Sequence, residues 1–130
     1  QKEVADRIIS KYNSKNYGRL TILTNWKLNV KKIIDIKPSS FSPRPKIESS
    51  VLFFKPKKNV YKLNNSKNLE KITRIFFMHR RKMIKKPYNQ LFNGNNQVSS
   101  KHKIDLKLRP QNLDYDTYLK LADEYEKLIC

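Results

Sequence analysis

Phe41 stands between Pro38 and Pro43 in the run Ser39-Ser40-Phe41-Ser42-Pro43-Arg44-Pro45-Lys46-Ile47-Glu48-Ser49-Ser50-Val51. Proline fixes its own φ and pushes the residue before it to extended geometry, so this backbone cannot enter a helix and holds the ring on a stiff rim. Arg44 and Lys46 flank Pro45, and an extended chain projects both to one side. A loop built this way offers a ring face to a nucleobase and two cations to phosphate. The plainer reading of the same residues is a loop phenylalanine tucked into the core beside two solvated cations.

A second constellation is His79-Arg80-Arg81-Lys82-Met83-Ile84-Lys85-Lys86, in which five long cations and a histidine fall within two helical turns. Such a cluster repels itself unless a polyanion meets it. Arg80 and Arg81 suit forked contacts to phosphate oxygens, and Lys82, Lys85 and Lys86 act as flexible point charges. The bland alternative is a solvated helical face. His79 reads as a packing or phosphate-contact residue, because no carboxylate or nucleophile lies near it to make it a general base. His102 reads as a loop residue.

Other chemistry is missing from the sequence. Gly18 and Gly94 are the only glycines, too few for a glycine-rich phosphate loop, and neither metal-ligand spacing nor a serine elbow occurs. Cys130 is the single cysteine, which excludes an internal disulfide, leaves too few soft ligands for zinc and fits a reducing compartment. No run approaches a membrane span. The chain begins at Gln1 with no charged-then-apolar leader, and it reads as a fragment.

Charge is the strongest compositional fact: +18 over 130 residues, with 38% apolar and 31% charged residues. Residues 114–130 hold five of the eleven acids and two of the twenty-nine cations, leaving twenty-seven cations and six acids, +21, on residues 1–113. That field attracts polyanions and makes binding salt-dependent. Accumulated AT-rich codons would also raise lysine, but they would raise aspartate and glutamate with it, so they explain the imbalance less well.

The elements that must position these residues follow from periodicity. Val4, Ile8 and Ile9 predict a short helix over Glu3 to Ser10, ended by the polar turn Asn13 to Asn16. Leu20, Leu23 and Trp26 predict a second helix, with Arg19 and Lys27 off its buried stripe. Val30 to Ile36 and Lys46 to Lys55 predict two strands, the second centred on Val51-Leu52-Phe53-Phe54, apolar enough to be covered on both faces. Joined by the proline loop they form an antiparallel pair, too small to be stable alone and expected to complete a larger sheet. Pro56 to Lys67 reads as a linker. Beyond it Leu69, Ile72, Phe76 and Met83 predict a helix capped by Ser66 or Asn68 and stopped at Pro87. Asn93 to Lys103 reads as a loop with Gly94 at positive φ. A last helix capped by Asp114 would bury Tyr118, Leu119, Ala122, Tyr125 and Ile129.

Five blocks in order carry a resemblance: Gln1 to Arg7, Ser14-Lys15-Asn16-Tyr17-Gly18-Arg19-Leu20, Phe41 to Val51, Phe77 to Lys82, and Leu108-Arg109-Pro110-Gln111-Asn112-Leu113. Together they resemble the small-subunit ribosomal RNA adenine dimethyltransferases of the KsgA type. The related erythromycin-resistance methyltransferases share the Phe-x-Pro-x-Pro-Lys block, whereas His79-Arg80-Arg81-Lys82 and Leu108-Arg109-Pro110 look like the KsgA type alone. Gly18 and the Lys/Asn/Ile bias look bacterial. One departure stands out: after Lys86 come Pro87 and Tyr88, where the family continues with an Asn and a Leu.

The resemblance implies an α+β fragment: the last helices and antiparallel strand pair of a Rossmann-like methyltransferase sheet over residues 1–57, a linker at 58–67, and a small all-α rRNA-binding domain at 68–130. It implies S-adenosylmethionine as cofactor of the parent enzyme, with the cofactor and catalytic motifs upstream of Gln1, so no catalytic or cofactor residue is carried over and the fragment alone is expected to be inactive. Phe41 takes the place of the aromatic that packs on a flipped-out adenine. Lys15, Arg19, Arg44 and Lys46 would steer the strand beside the pocket, and Arg80, Arg81, Lys82, Lys85 and Lys86 would hold a more distant rRNA helix. Implied partners are small-subunit rRNA and the assembling small subunit, in the bacterial cytoplasm, with a monomeric enzyme. The competing class is a non-enzymatic basic RNA-binding or ribosome-associated module, which would fold compactly by itself and bind RNA without a methyl donor.

Overall fold

Residues 1–129 are described by a computed structural model; Cys130, and with it the reading of its redox and zinc chemistry, lies outside the described residues. Two helices open the chain, α1 (Lys2–Ile9) and α2 (Arg19–Lys27). The expected three-residue stripe on α2 is displaced. Ile22 and Trp26, one turn apart, are buried together with Thr21, while Leu20 is 39% exposed. The reason is the 3.6-residue repeat, which aligns positions four apart rather than positions 20, 23 and 26 in a straight row. Thr21 Oγ1 donates to the Arg7 carbonyl at 2.5 Å and Asn25 Nδ2 to the Ile8 carbonyl at 3.2 Å, locking α2 against the end of α1.

Strand β1 (Leu28–Ile36) begins at the residue after α2 and pairs antiparallel with β2 (Ser49–Pro56). Register runs from Leu28 opposite Pro56 to Ile36 opposite Ser49, with an irregularity that leaves Ile33 unpaired. An extra residue of this kind increases local twist and re-aims the side chains beyond it. Both strands touch α1, and the Lys2 amide donates to the Glu48 carbonyl at 3.1 Å. Ile33, Ile34, Val51, Phe53 and Phe54 are nevertheless 42–57% exposed.

The segment after β2 is tied down. Trp26 Nε1 donates to the Tyr61 carbonyl at 2.6 Å, and Tyr61 donates its hydroxyl to Asp123 Oδ2 at 3.0 Å. Partial burial, followed by that carboxylate, pushes the Tyr61 hydroxyl up to about 12. Glu126, 3% exposed, accepts from the amides of Asn64 and Asn65 and from Asn68 Nδ2. Burial alone would raise its carboxyl, but those three donors outweigh burial and hold it below the ordinary glutamate range.

Helix α3 (Ser66–Phe76) is capped by Asn65, whose side chain accepts from the Lys67 amide, rather than by Ser66 or Asn68. It ends well before Pro87, passing into a 3-10 turn over Phe77–His79. Met83 therefore leaves the predicted stripe and is 52% exposed. Helix α4 (Lys85–Phe92) carries Pro87 in its first turn, where a missing N–H costs no intrahelical bond. It closes on Asn93 and Gly94, both at positive φ. A short helix, α5 (Gln97–Lys101), occupies part of the stretch expected as loop. The chain ends in α6 (Tyr115–Ile129), where Asp114 Oδ1 accepts from the Thr117 amide at 2.9 Å. Its buried face runs Tyr118, Leu119, Leu121, Ala122, Tyr125 and Glu126, and Ile129 is 57% exposed at the helix end rather than buried.

One core joins these helices. Tyr17, Ile22 and Trp26 from the first part of the chain pack with Leu69, Ile72, Phe76, Ile84, Tyr88, Phe92, Tyr118 and Tyr125. Phe76 meets Tyr118 edge-on at 5.7 Å, and Tyr88 stacks on Phe92 at 4.8 Å, the offset and edge geometries that ring quadrupoles favour.

Candidate nucleic-acid interface

The loop between β1 and β2 starts with a 3-10 turn at Pro38–Ser40, and the Phe41 amide donates back to the Pro38 carbonyl at 3.2 Å. Phe41 then takes extended backbone, φ −109° and ψ 152°, and is 41% exposed, outside the core. Pro43 follows through a cis bond to Ser42. Arg44 and Lys46 lie exposed on either side of the half-buried Pro45. Asp35 at the foot of β1 accepts from Ser50 and Lys32, which hold its carboxyl below the ordinary aspartate range.

Lys15 and Arg19 are placed elsewhere. With Arg7, Arg80 and Phe77 they line a concavity of about 630 Å³ between α1, the turn before α2 and the end of α3. Arg19 donates to the Glu70 carbonyl at 3.2 Å and to Thr73 Oγ1 at 3.5 Å. Arg80 reaches under the turn before α2: Nη1 donates to the Tyr17 carbonyl at 2.6 Å and Nη2 to the Lys15 carbonyl at 3.0 Å. Its guanidinium also lies 5.5 Å from the Phe77 ring centroid and 3.2 Å from where a Cβ on Gly18 would stand. These bonds brace the rim of the concavity, and Arg19 remains exposed there.

The cationic run is not one helical face, contrary to expectation. After the 3-10 turn the backbone bends through residues 80–84, and the Lys82 amide donates to the His79 carbonyl at 3.1 Å. Ile84 supplies the physical reason. Its side chain is fully buried, and its amide donates to the Leu108 carbonyl at 2.8 Å, a placement that a continuous helix from Phe76 would not allow. The result is a cleft of about 640 Å³ walled by Arg81, Lys82, Met83, Lys85, Lys86 and Arg109. Arg81, Lys82, Lys85 and Lys86 are exposed. Helix α4 starts at this cleft, and its N-cap, Ile84, makes no side-chain capping bond. Two lysines at a helix N-terminus oppose the dipole, and an anion bound among them relieves that opposition.

Arg109 was not legible as a member of this cleft. It sits 23 residues after Lys86 and arrives through the Ile84–Leu108 bond, with its amide donated to Asn112 Oδ1 at 2.9 Å. Its only sequence signal was the Leu-Arg-Pro block itself. His79 is exposed and lines a neighbouring hollow together with Lys82, Met83 and Lys86, while His102 Nε2 lies 3.3 Å from Glu124 Oε1. Glu124 is drawn below the ordinary range chiefly by its bond from Lys101, which outweighs the effect of burial, with His102 adding to it.

The model of the family described as ribosomal RNA adenine dimethylase matches residues 1–127. A ribosomal RNA small subunit methyltransferase A of Pelagibacter ubique is 68% identical over 128 residues, covering 98% of this chain and 49% of that protein. The protein of the same name from Prochlorococcus marinus strain AS9601 is 41% identical, over 98% of this chain and 48% of that protein. A crystal structure of a dimethyladenosine transferase from Plasmodium falciparum superposes with a TM-score of 0.78 at 27% identity, covering 98% of this chain and 55% of that one. The chain thus spans about half the length of the curated relatives it matches. With nearly all of its residues inside the family model and a close relative by sequence, the chain belongs to the ribosomal RNA adenine dimethylase family.

Proposed function

We propose that this chain is the part of an S-adenosylmethionine-dependent rRNA dimethyltransferase that grips small-subunit rRNA and forms one wall of the target-base pocket, in a bacterial cytoplasmic enzyme acting as a monomer. The reaction is dimethylation of the exocyclic amines of two adjacent adenines. In this reading residues 1–57 end the methyltransferase core, 58–67 connect, and 68–130 form the rRNA-binding helical part.

The hairpin carries the reading. Its loop holds Phe41 exposed, and its strands leave Ile33, Ile34, Val51, Phe53 and Phe54 uncovered, as a sheet margin would if further strands and helices of the Rossmann-like core packed on it. An independent RNA-binding module has no reason to expose those side chains.

An adenine amine inside a base stack is out of reach of any methyl donor, so the base must be flipped out, and a ring face offsets lost stacking by about 1–3 kcal/mol. Phe41 supplies that face. Arg44 and Lys46 meet the neighbouring phosphates, and Lys15 lines the path towards the second part. Arg81, Lys82, Lys85 and Lys86, joined by Arg109, hold a more distant rRNA helix through phosphates, giving position rather than base identity. Arg19 and Arg80 serve that grip by bracing the rim.

In this reading the methyl donor is held by the methyltransferase core that this segment completes. The test is methyl transfer from labelled S-adenosylmethionine to unmethylated small ribosomal subunits, using this chain and the same chain preceded by a methyltransferase core. Transfer by the longer protein alone supports the reading. Failure of both, with salt-sensitive RNA binding retained, favours the non-enzymatic module.

A further inference from the structure

Both methionines of this chain, Met78 and Met83, line one hollow, and they are 60% and 52% exposed. The hollow encloses about 330 Å³ between the end of α3, the bend at residues 77–84 and the first turns of α4. Buried Ile75 and half-buried Pro87 add to its apolar lining. A single exposed apolar side chain is ordinary, whereas a concave group of them on a chain of net charge +18 points to a ligand.

Basic side chains surround that lining. Arg74, His79, Lys82 and Lys86 line the same hollow and all are exposed, and among the described residues none of its lining groups is a carboxylate. Lys71 is there too, but its Nζ donates to the Tyr125 hydroxyl at 2.6 Å. Gln90 adds an amide that can both donate and accept. An apolar hollow ringed by positive charge fits a ligand with a flat uncharged body and an anionic group beside it.

Position selects among such ligands. Lys82, Met83 and Lys86 line both this hollow and the Arg81–Arg109 cleft, so a polyanion lying in the cleft passes beside the hollow. A nucleotide carries base and phosphate on one residue, which lets Lys82 and Lys86 keep the phosphate while the base turns away from it. Thioethers adapt their shape to aromatic faces, and Met and Pro side chains serve elsewhere as apolar wedges against bases. An acidic peptide with an apolar anchor would match the charges but leaves the shared wall unexplained. We propose that this hollow takes the base of an unpaired, extrahelical nucleotide of the RNA whose backbone lies in the adjoining cleft. The inference rests on the rRNA grip proposed above and adds a base contact to it.

The experiment uses this chain with isotopically labelled methionine methyls and three short RNA duplexes that differ at one position: fully paired, with one bulged adenosine, and with an abasic bulge. The adenosine bulge should bind about tenfold more tightly than either of the others, within the value of one stacked base. Its ring should also move the Met78 and Met83 methyl signals upfield, which the abasic bulge should not. Met78→Ala, a change at an exposed side chain, should cut that preference about threefold and leave the paired duplex unaffected. Arg81→Ala should weaken all three duplexes alike. Equal binding of the adenosine and abasic bulges, with salt dependence and the Arg81 effect intact, overturns the base pocket and leaves the phosphate grip standing. A preference that survives Met78→Ala in full without methyl shifts places the base elsewhere and overturns it too. Absence of salt-sensitive binding to any duplex removes the grip and the pocket with it. Methyl shifts produced by acetyl-Asp-Glu-Phe-Asp-Glu-amide and not by the bulged adenosine assign the hollow to an acidic protein segment and overturn the proposal.

Discussion

Arg80 donates through Nη1 to the backbone carbonyl of Tyr17, 63 residues earlier, at 2.6 Å. This bond, with the second to Lys15, fastens the turn before α2 to the turn after α3. Neighbouring arginines in the sequence thereby acquire different tasks, since Arg81 is exposed in the cleft with Lys82 and Lys85.

That difference is measurable. Arg80→Ala should lower unfolding free energy by about 1–3 kcal/mol, the range for hydrogen bonds from a charged donor. Arg81→Ala should stay within about 0.5 kcal/mol of the parent chain, yet make the logarithmic salt dependence of RNA binding shallower by about 0.9 for each phosphate that Arg81 neutralises. Urea titrations followed by Trp26 fluorescence and binding at three salt concentrations separate the two. Equal stability losses would remove the distinction.

Phe41→Ala should leave stability within about 0.5 kcal/mol, because the ring lies outside the core. In a protein extended by a methyltransferase core it should reduce methyl transfer to small subunits by about tenfold or more, the equivalent of removing one stacked ring. Phe41→Tyr, which keeps the ring face, should retain most of the rate. A full rate for the alanine variant would take Phe41 out of the target pocket.

Glu126 gives a pH dependence with a defined sign. Its folded carboxyl titrates below the ordinary value, so the stability it contributes is fully present above the usual glutamate range of about 4.3 and is lost as pH falls through the lower folded value. Denaturant midpoints should fall on acidification, and Glu126→Gln should flatten that acid limb while costing about 1–3 kcal/mol at neutral pH through weakened bonds to Asn64, Asn65 and Asn68. An unchanged acid limb would place the titrating group elsewhere.

Ile84→Ala should cost about 2–4 kcal/mol as a fully buried large-to-small change. Because the buried Ile84 side chain seats the backbone amide that bonds the Leu108 carbonyl, loosening that seat should also loosen the Arg109 wall of the cleft and weaken RNA binding even where the variant remains folded. A chain as stable as the parent, by thermal melting, would contradict the packing described for this turn.

Much of the fold could be read from residue patterns, and the misreadings have local causes. The β-branched run Val30 to Ile36 and the apolar run Val51 to Phe54 announced the hairpin, and the prolines announced its loop. Asp114 announced α6. Leu20 misled because a three-residue spacing drifts around a helix, and Met83 because an apolar residue at helical spacing says nothing about whether the helix still exists there. The break at residues 77–84 depends on Ile84 finding the Leu108 carbonyl, a bond between segments 24 residues apart that no local pattern encodes. For the same reason Arg109 stayed invisible as a neighbour of Lys85, and the internal bonds of Arg19 and Arg80 could not be told from free charge by composition.

Helix α2 passes into β1 with no intervening loop, Lys27 closing one element and Leu28 opening the next, while Ile22 and Trp26 are set in the shared core. The hairpin is therefore cantilevered from the same body that carries the Arg81–Arg109 cleft, like the two jaws of a caliper. The span between Phe41 and that cleft is then set by the fold, and under the proposed function an RNA whose two docking points lie at another separation would meet one jaw at a time.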